Sequence, residues 1–206
     1  MKRKVKLFAT IASLCLSLAL MAFGVYAATS ITFTSKGTVN YTLADDVWTS
    51  FTVSAQQYAY KDAVVANAAA VDALELPAAT TVDLNGDAEG TTYFWDAAQD
   101  AAKTDAEMSH TKEGLFAVNF NEGYIYEITI SVARTNGAAD ATVTSTIKDV
   151  TADSGYAVVL ATGVEAEQEL PADSTAITFT YYVLLTDNMA AITDLPFTLE
   201  LVVAVA

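Results

Sequence analysis

The stretch Gly123-Tyr124-Ile125-Tyr126-Glu127-Ile128-Thr129-Ile130-Ser131-Val132 decides the fold class of this chain. Tyr124, Tyr126, Ile128, Ile130 and Val132 fall on one side of an extended backbone, and Glu127, Thr129 and Ser131 on the other. Strand side chains alternate between faces with a period of two, so the pattern predicts a strand with one face buried and one in water. The same alternation runs through Ile177-Thr178-Phe179-Thr180-Tyr181-Tyr182-Val183-Leu184-Leu185, whose odd positions are all apolar, and through Phe197-Thr198-Leu199-Glu200-Leu201-Val202-Val203-Ala204-Val205. Weaker copies cover residues 31–33, 38–43, 48–54, 115–120, 141–147 and 156–161. Turn-forming groups lie between them: Asp45-Asp46, Asn136-Gly137, Asp153-Ser154-Gly155 and Asp187-Asn188. Eight or nine short strands without alternating helices predict an all-β fold, an antiparallel β-sandwich of jelly-roll or immunoglobulin-like kind.

One region departs from this pattern. Residues 62–74 place Val64, Ala68, Val71 and Leu74 on one helical face before Pro77 stops the helix. Trp95, Ala98 and Ala102 have helical spacing in a second alanine-rich run that ends at Met108. Residues 55–113 are therefore expected to be an insertion with one or two short helices, capping one end or edge of the strands, within a single domain of residues 28–206.

The amino terminus carries an export signal. Lys2, Arg3, Lys4 and Lys6 precede an apolar run from Leu7 to Phe23, and Gly24-Val25-Tyr26-Ala27 supplies the small residues a signal peptidase requires. Cleavage is expected between Ala27 and Ala28. The apolar run is 17 residues long, at the lower edge of a membrane span, and its small-residue exit favours cleavage over a retained anchor. Cys15 lies inside the apolar run behind Leu14, not at the small-residue site of a lipoprotein. Removing residues 1–27 leaves six basic and 25 acidic residues, a formal net charge of −19 against −15 for the whole chain. Such a surface repels nucleic-acid backbones and anionic membranes, so neither is an expected partner. With no cysteine beyond Cys15, the exported part is held by core packing and not by disulfides.

Chemistry-bearing residues are sparse. His110 is the only histidine, its polar neighbours suggest an exposed loop, and no G-x-S-x-G elbow is present, so no catalytic residue is assigned and the chain is expected not to be an enzyme. No metal ligand set is assigned either. Asp83-Leu84-Asn85-Gly86-Asp87-Ala88-Glu89 begins like a calcium loop, but Ala88 stands in place of the turn glycine and Phe94 in place of the closing glutamate. An acidic turn accounts for it, with calcium only a weak alternative and no cofactor expected. Glu165, Glu167 and Glu169 alternate as on a solvated edge. Tyr58, Tyr60, Tyr93, Phe94 and Trp95 could stack on sugars, although cap packing is the commoner use of such residues. Leu195-Pro196-Phe197-Thr198-Leu199 superficially looks like a sortase signal but lacks the glycine and the apolar tail with a basic end.

The chain resembles the TasA/camelysin-like secreted proteins of Gram-positive bacteria, whose signal peptides are cut by a SipW-type peptidase. The resemblance rests on Gly24-Val25-Tyr26-Ala27-Ala28-Thr29 running into a strand, on Tyr124 to Val132 with the following Asn136-Gly137, and on the segments Ala176 to Leu185 and Phe197 to Val205. It implies a jelly-roll-like domain exported to the cell surface or biofilm matrix, with fibre assembly by donor-strand exchange in some members. The alanine-rich insertion departs from that family, and no protease metal motif is present. The alternating segment containing Ile31 and Phe33 is the candidate assembly strand, with Gly37 as its hinge. The expected function is a secreted, non-catalytic structural protein that self-associates or meets other surface proteins. The alternative is an extracellular adhesin or carbohydrate-binding module with a glycan partner.

Overall fold

A computed structural model describes residues 32–35, 37–43, 48–60, 67–85, 91–93, 109–116, 120–121, 124–136, 140–150, 156–171, 176–185 and 194–205. By spatial proximity residues 1–32 form one unit and residues 33–206 another, and the second is described here. Of the helix expected over residues 62–74, the described part forms α1, Ala68–Asp72, and residues 62–66 lie outside the described residues. Asn67 caps it, its side chain accepting from the Ala70 amide at 2.9 Å. The second alanine-rich run lies outside the described residues, apart from the chain around it.

The expectation of an all-β protein holds among the described residues, where strands account for nearly all regular structure. In chain order they are β1 (Thr32–Ser35), β2 (Thr38–Leu43), β3 (Trp48–Ala59), β4 (Thr80–Thr81), β5 (Thr91–Tyr93), β6 (Ser109–Lys112), β7 (Phe120–Asn121), β8 (Tyr124–Asn136), β9 (Ala141–Lys148), β10 (Tyr156–Leu160), β11 (Glu167–Leu170), β12 (Ile177–Leu185), β13 (Asp194–Leu195) and β14 (Thr198–Val205). A first large sheet has the order β10-β12-β8-β3-β4, with β5 also on β3. A second has the order β11-β9-β14-β2-β6, and a small third sheet the order β13-β1-β7.

Strict antiparallel pairing does not hold. β14 runs parallel to β2, with Thr198 opposite Thr38 and Val203 opposite Leu43, and β1 runs parallel to β13. Parallel neighbours need a long crossover, and almost the whole chain separates β2 from β14. Turn residues report only local reversals. Asn136 ends β8 in the first sheet and the chain resumes as β9 in the second, so the Asn136-Gly137 signal marks a passage between sheets and not a hairpin.

The buried side chains follow the alternation. Tyr126, Ile128, Ile130 and Val132 of β8, Phe179, Tyr181 and Val183 of β12, and Phe197, Leu199, Leu201 and Val203 of β14 join one hydrophobic cluster fed by both large sheets. Across it the Ser145 and Tyr181 hydroxyls lie 2.6 Å apart. Ile125 and Leu184, on the opposite face of the first sheet, are also buried, because Val71 of α1 packs on them. The helical segment thus shields one end of a face that is otherwise polar.

Gly37, the hinge expected from the sequence, has a packing role. A Cβ there would stand 2.5 Å from Phe197 Cζ, so the ring occupies the space a side chain would take. The Gly37 carbonyl accepts from the Leu115 amide at 2.7 Å, and the Thr38 amide donates to the Phe197 carbonyl at 2.9 Å. The sortase-like residues Phe197, Thr198 and Leu199 are buried at the start of a central strand.

Candidate functional site

The polar face of the first sheet carries the most organised group of functional side chains among the described residues. Strand register sets Gln56 of β3 and Tyr182 of β12 on either side of Glu127 in β8. Gln56 Nε2 donates to Glu127 Oε1 at 2.5 Å and to Tyr58 Oη at 2.9 Å, and Tyr58 Oη donates to Glu127 Oε2 at 3.1 Å. Each member therefore fixes the other two. Gln56 and Tyr58 share a face because they are two residues apart on one strand.

The electrostatics follow from this packing. Partial burial, then the Glu127 charge, push the Tyr58 phenol up to about 12. Burial, then Glu127 and Asp72, raise the Tyr182 phenol as well. Both rings remain neutral hydrogen-bonding groups at physiological pH. Among the described residues no lysine or arginine pairs with Glu127; Lys148 binds Glu200 at 2.5 Å on the second sheet.

A cleft of about 190 Å³ opens beside the triad, lined by Ser54, Ala55, Gln56, Thr81, Glu127 and Thr129. Thr81 arrives from β4, which pairs with β3 opposite Gln56 and forms one wall. The volume is below that of pockets for drug-sized ligands, so it suits a single ring or side chain. Its chemistry is hydrogen bonding by hydroxyls, an amide and one carboxylate.

The residues singled out from sequence are dispersed. Ala27, Ala28 and Ile31 lie outside the described residues, and Phe33 lies in β1, whose Thr34 and Ser35 pair with Asp194 and Leu195. His110 is in the edge strand β6 opposite Tyr41, and not in a loop. Of the aromatic group, Tyr58 joins the triad, Tyr60 packs with Val71 and Leu184, Tyr93 ends β5 opposite Ser50, and Phe94 and Trp95 lie outside the described residues. Asp83 is exposed, Leu84 bridges antiparallel to Phe116 and the Asn85 amide donates to the Leu115 carbonyl, so up to Asn85 the segment is tied by its backbone to residues 115 and 116. Its remainder lies outside the described residues. Glu165, Glu167 and Glu169 are exposed on and beside the edge strand β11.

Glu127, Gln56, Thr81 and Thr129 were not legible as a group. Glu127 is the one charged residue within the alternating Tyr124 to Val132 stretch, and that was the available signal. Gln56 lay beyond the expected end of its strand, since β3 continues to Ala59. Compared with known protein families, curated proteins and solved structures, the chain matches none of them.

Proposed function

We propose that the chain is a secreted, non-catalytic structural protein of the cell surface or biofilm matrix. On this reading its two large sheets form a jelly-roll-like β-sandwich of the TasA/camelysin kind, and copies associate by strand addition. The observation that carries the reading is the setting of β1. This strand is four residues long and lies in the small sheet outside the two large ones, between β13 and β7, each of two residues, with Thr34 and Ser35 registered on β13. So short a pairing is readily exchanged for the same segment of a second copy, with the backbone hydrogen bonds regained. β14 does not suit that role, because both of its pairings are long, running from Thr198 to Val205 along β9 and from Thr198 to Val203 along β2.

Protein beginning at Ala28 should form oligomers or filaments visible by electron microscopy and sedimentation, and removal of residues 28–36 should abolish them. A truncated protein that assembles as before would refute strand addition through β1. A second reading, a carbohydrate-binding or adhesin module, draws on the Glu127 cleft.

A further inference from the structure

The polar face of the first sheet has an ordered chemistry that extends beyond the cleft. Three adjacent strands each carry a hydroxyl pair two residues apart: Thr52 and Ser54 in β3, Thr129 and Ser131 in β8, Thr178 and Thr180 in β12. Register aligns them into two rows. Ser54, Thr129 and Thr180 face one another in the first, Thr52, Ser131 and Thr178 in the second. All six are exposed or half-buried, while the intervening Phe51, Val53, Ile130, Val132, Phe179 and Tyr181 are buried. Strand geometry spaces such hydroxyls about 4.8 Å apart across the sheet and about 6.8 Å along it. The next row is Gln56, Glu127 and Tyr182, so the hydroxyl grid runs directly into the cleft.

Hydrogen-bond accounting says what would dock here. Both Gln56 Nε2 hydrogens and the Tyr58 hydroxyl hydrogen are spent inside the triad. The triad's remaining capacity is acceptor capacity: lone pairs of Glu127 and the Gln56 carbonyl. Each serine or threonine hydroxyl both donates and accepts. A ligand matching this face is uncharged, presents hydroxyls at regular intervals, and places neighbouring donors at Glu127. A polyanion is repelled by Glu127 and by a chain of net charge −15. A flat crystalline surface fits poorly, because strands rotate by about 20–25° from one to the next, whereas a single flexible chain can follow the twist.

We propose that this face binds a single neutral glycan chain laid across β3, β8 and β12, with one terminal sugar hydrogen-bonded to Glu127 in the cleft. The inference deepens the binding-module reading and is independent of self-association through β1.

The test is titration of the purified protein with neutral hexasaccharides of three linkages, namely cello-, laminari- and N-acetylchito-hexaose, followed by NMR or calorimetry. Polygalacturonate and chitosan oligosaccharides serve as anionic and cationic probes. At least one neutral hexasaccharide should bind, and the anionic probe should not. The double substitution Thr129→Val and Thr180→Val keeps shape and strand preference while removing two central hydroxyls; it should weaken binding about tenfold or more. Glu127→Gln should weaken it by a similar factor, and Thr144→Val on the second sheet should leave it unchanged. Circular dichroism and thermal melting confirm that each variant is folded. Failure of all three neutral ligands to bind overturns the proposal, as does binding of chitosan alone or undiminished affinity in the folded double variant. Oligomer or filament formation by the same double variant should be unchanged, which separates this outcome from any failure of strand addition.

Discussion

The ring of Tyr41 in β2 stacks on the ring of Phe51 in β3, with centroids 4.1 Å apart and planes at 21°. One ring belongs to the second sheet and the other to the first, so this contact ties the two buried faces together. Both residues are essentially inaccessible to solvent. Phe51→Ala removes a large buried aromatic and leaves a cavity, and is expected to cost about 3–5 kcal/mol. Phe51→Leu keeps much of the volume and should cost well under half of that. Urea unfolding of the two variants checks the ratio.

Two glycines give separable expectations. Gly37→Ala drives a methyl group into the buried Phe197 ring and should destabilise by about 1–3 kcal/mol, as overpacking does. Gly163 has φ +79° with open space around it, so Gly163→Ala carries only the conformational penalty, on the order of 1 kcal/mol. Adding Phe197→Leu should recover part of the Gly37→Ala loss relative to the sum of the single changes. No such coupling is expected with Gly163→Ala.

Alkaline pH should weaken the fold in a defined window. Burial pushes the Tyr181 phenol up to about 12 despite its hydrogen bond with Ser145, and Tyr58 is raised to the same region. The folded state favours the neutral phenols, so their contribution is fully present below the ordinary value of 10 and is lost as pH rises from 10 towards 12. Thermal stability should therefore fall steadily over that interval. Tyrosinate absorbance at 295 nm should show these rings titrating late. Glu127→Gln should bring Tyr58 down only part of the way, because burial is the larger cause of its shift.

At one edge of the second sheet, β11 is paired with β9 alone and shows Glu167 and Glu169 to solvent. Charged side chains on an edge strand oppose pairing with a further chain. Replacing both glutamates with threonine should raise light scattering on concentration or mild heating, with little change in the urea midpoint. No change in scattering would mean that the edge is protected in another way.

The helix Ala68–Asp72 shows where local reading stopped short. Alanine spacing marked Ala68, Val71 and Leu74, and Val71 is indeed buried against the sheet. What it packs on could not be read locally: Ile125 and Leu184 sit on the side of their strands that alternation assigns to water. They became buried only because a distant segment covers them.

The sequence by itself determined the strand content and most of the buried set, because alternation between faces is a property of an extended backbone and is written residue by residue. Tyr126, Ile128, Ile130 and Val132 could be placed in the core without any knowledge of their partners. The tertiary structure alone decided which strands are neighbours: that β14 runs parallel to β2, that Phe197 fills the space over Gly37, and that Gln56 meets Glu127 from 71 residues away. Such pairings depend on the chain's long-range course, which is selected by the joint burial of many side chains and leaves no mark on any short stretch. The candidate site belongs to this second class, its members drawn from separate strands and united only by their register.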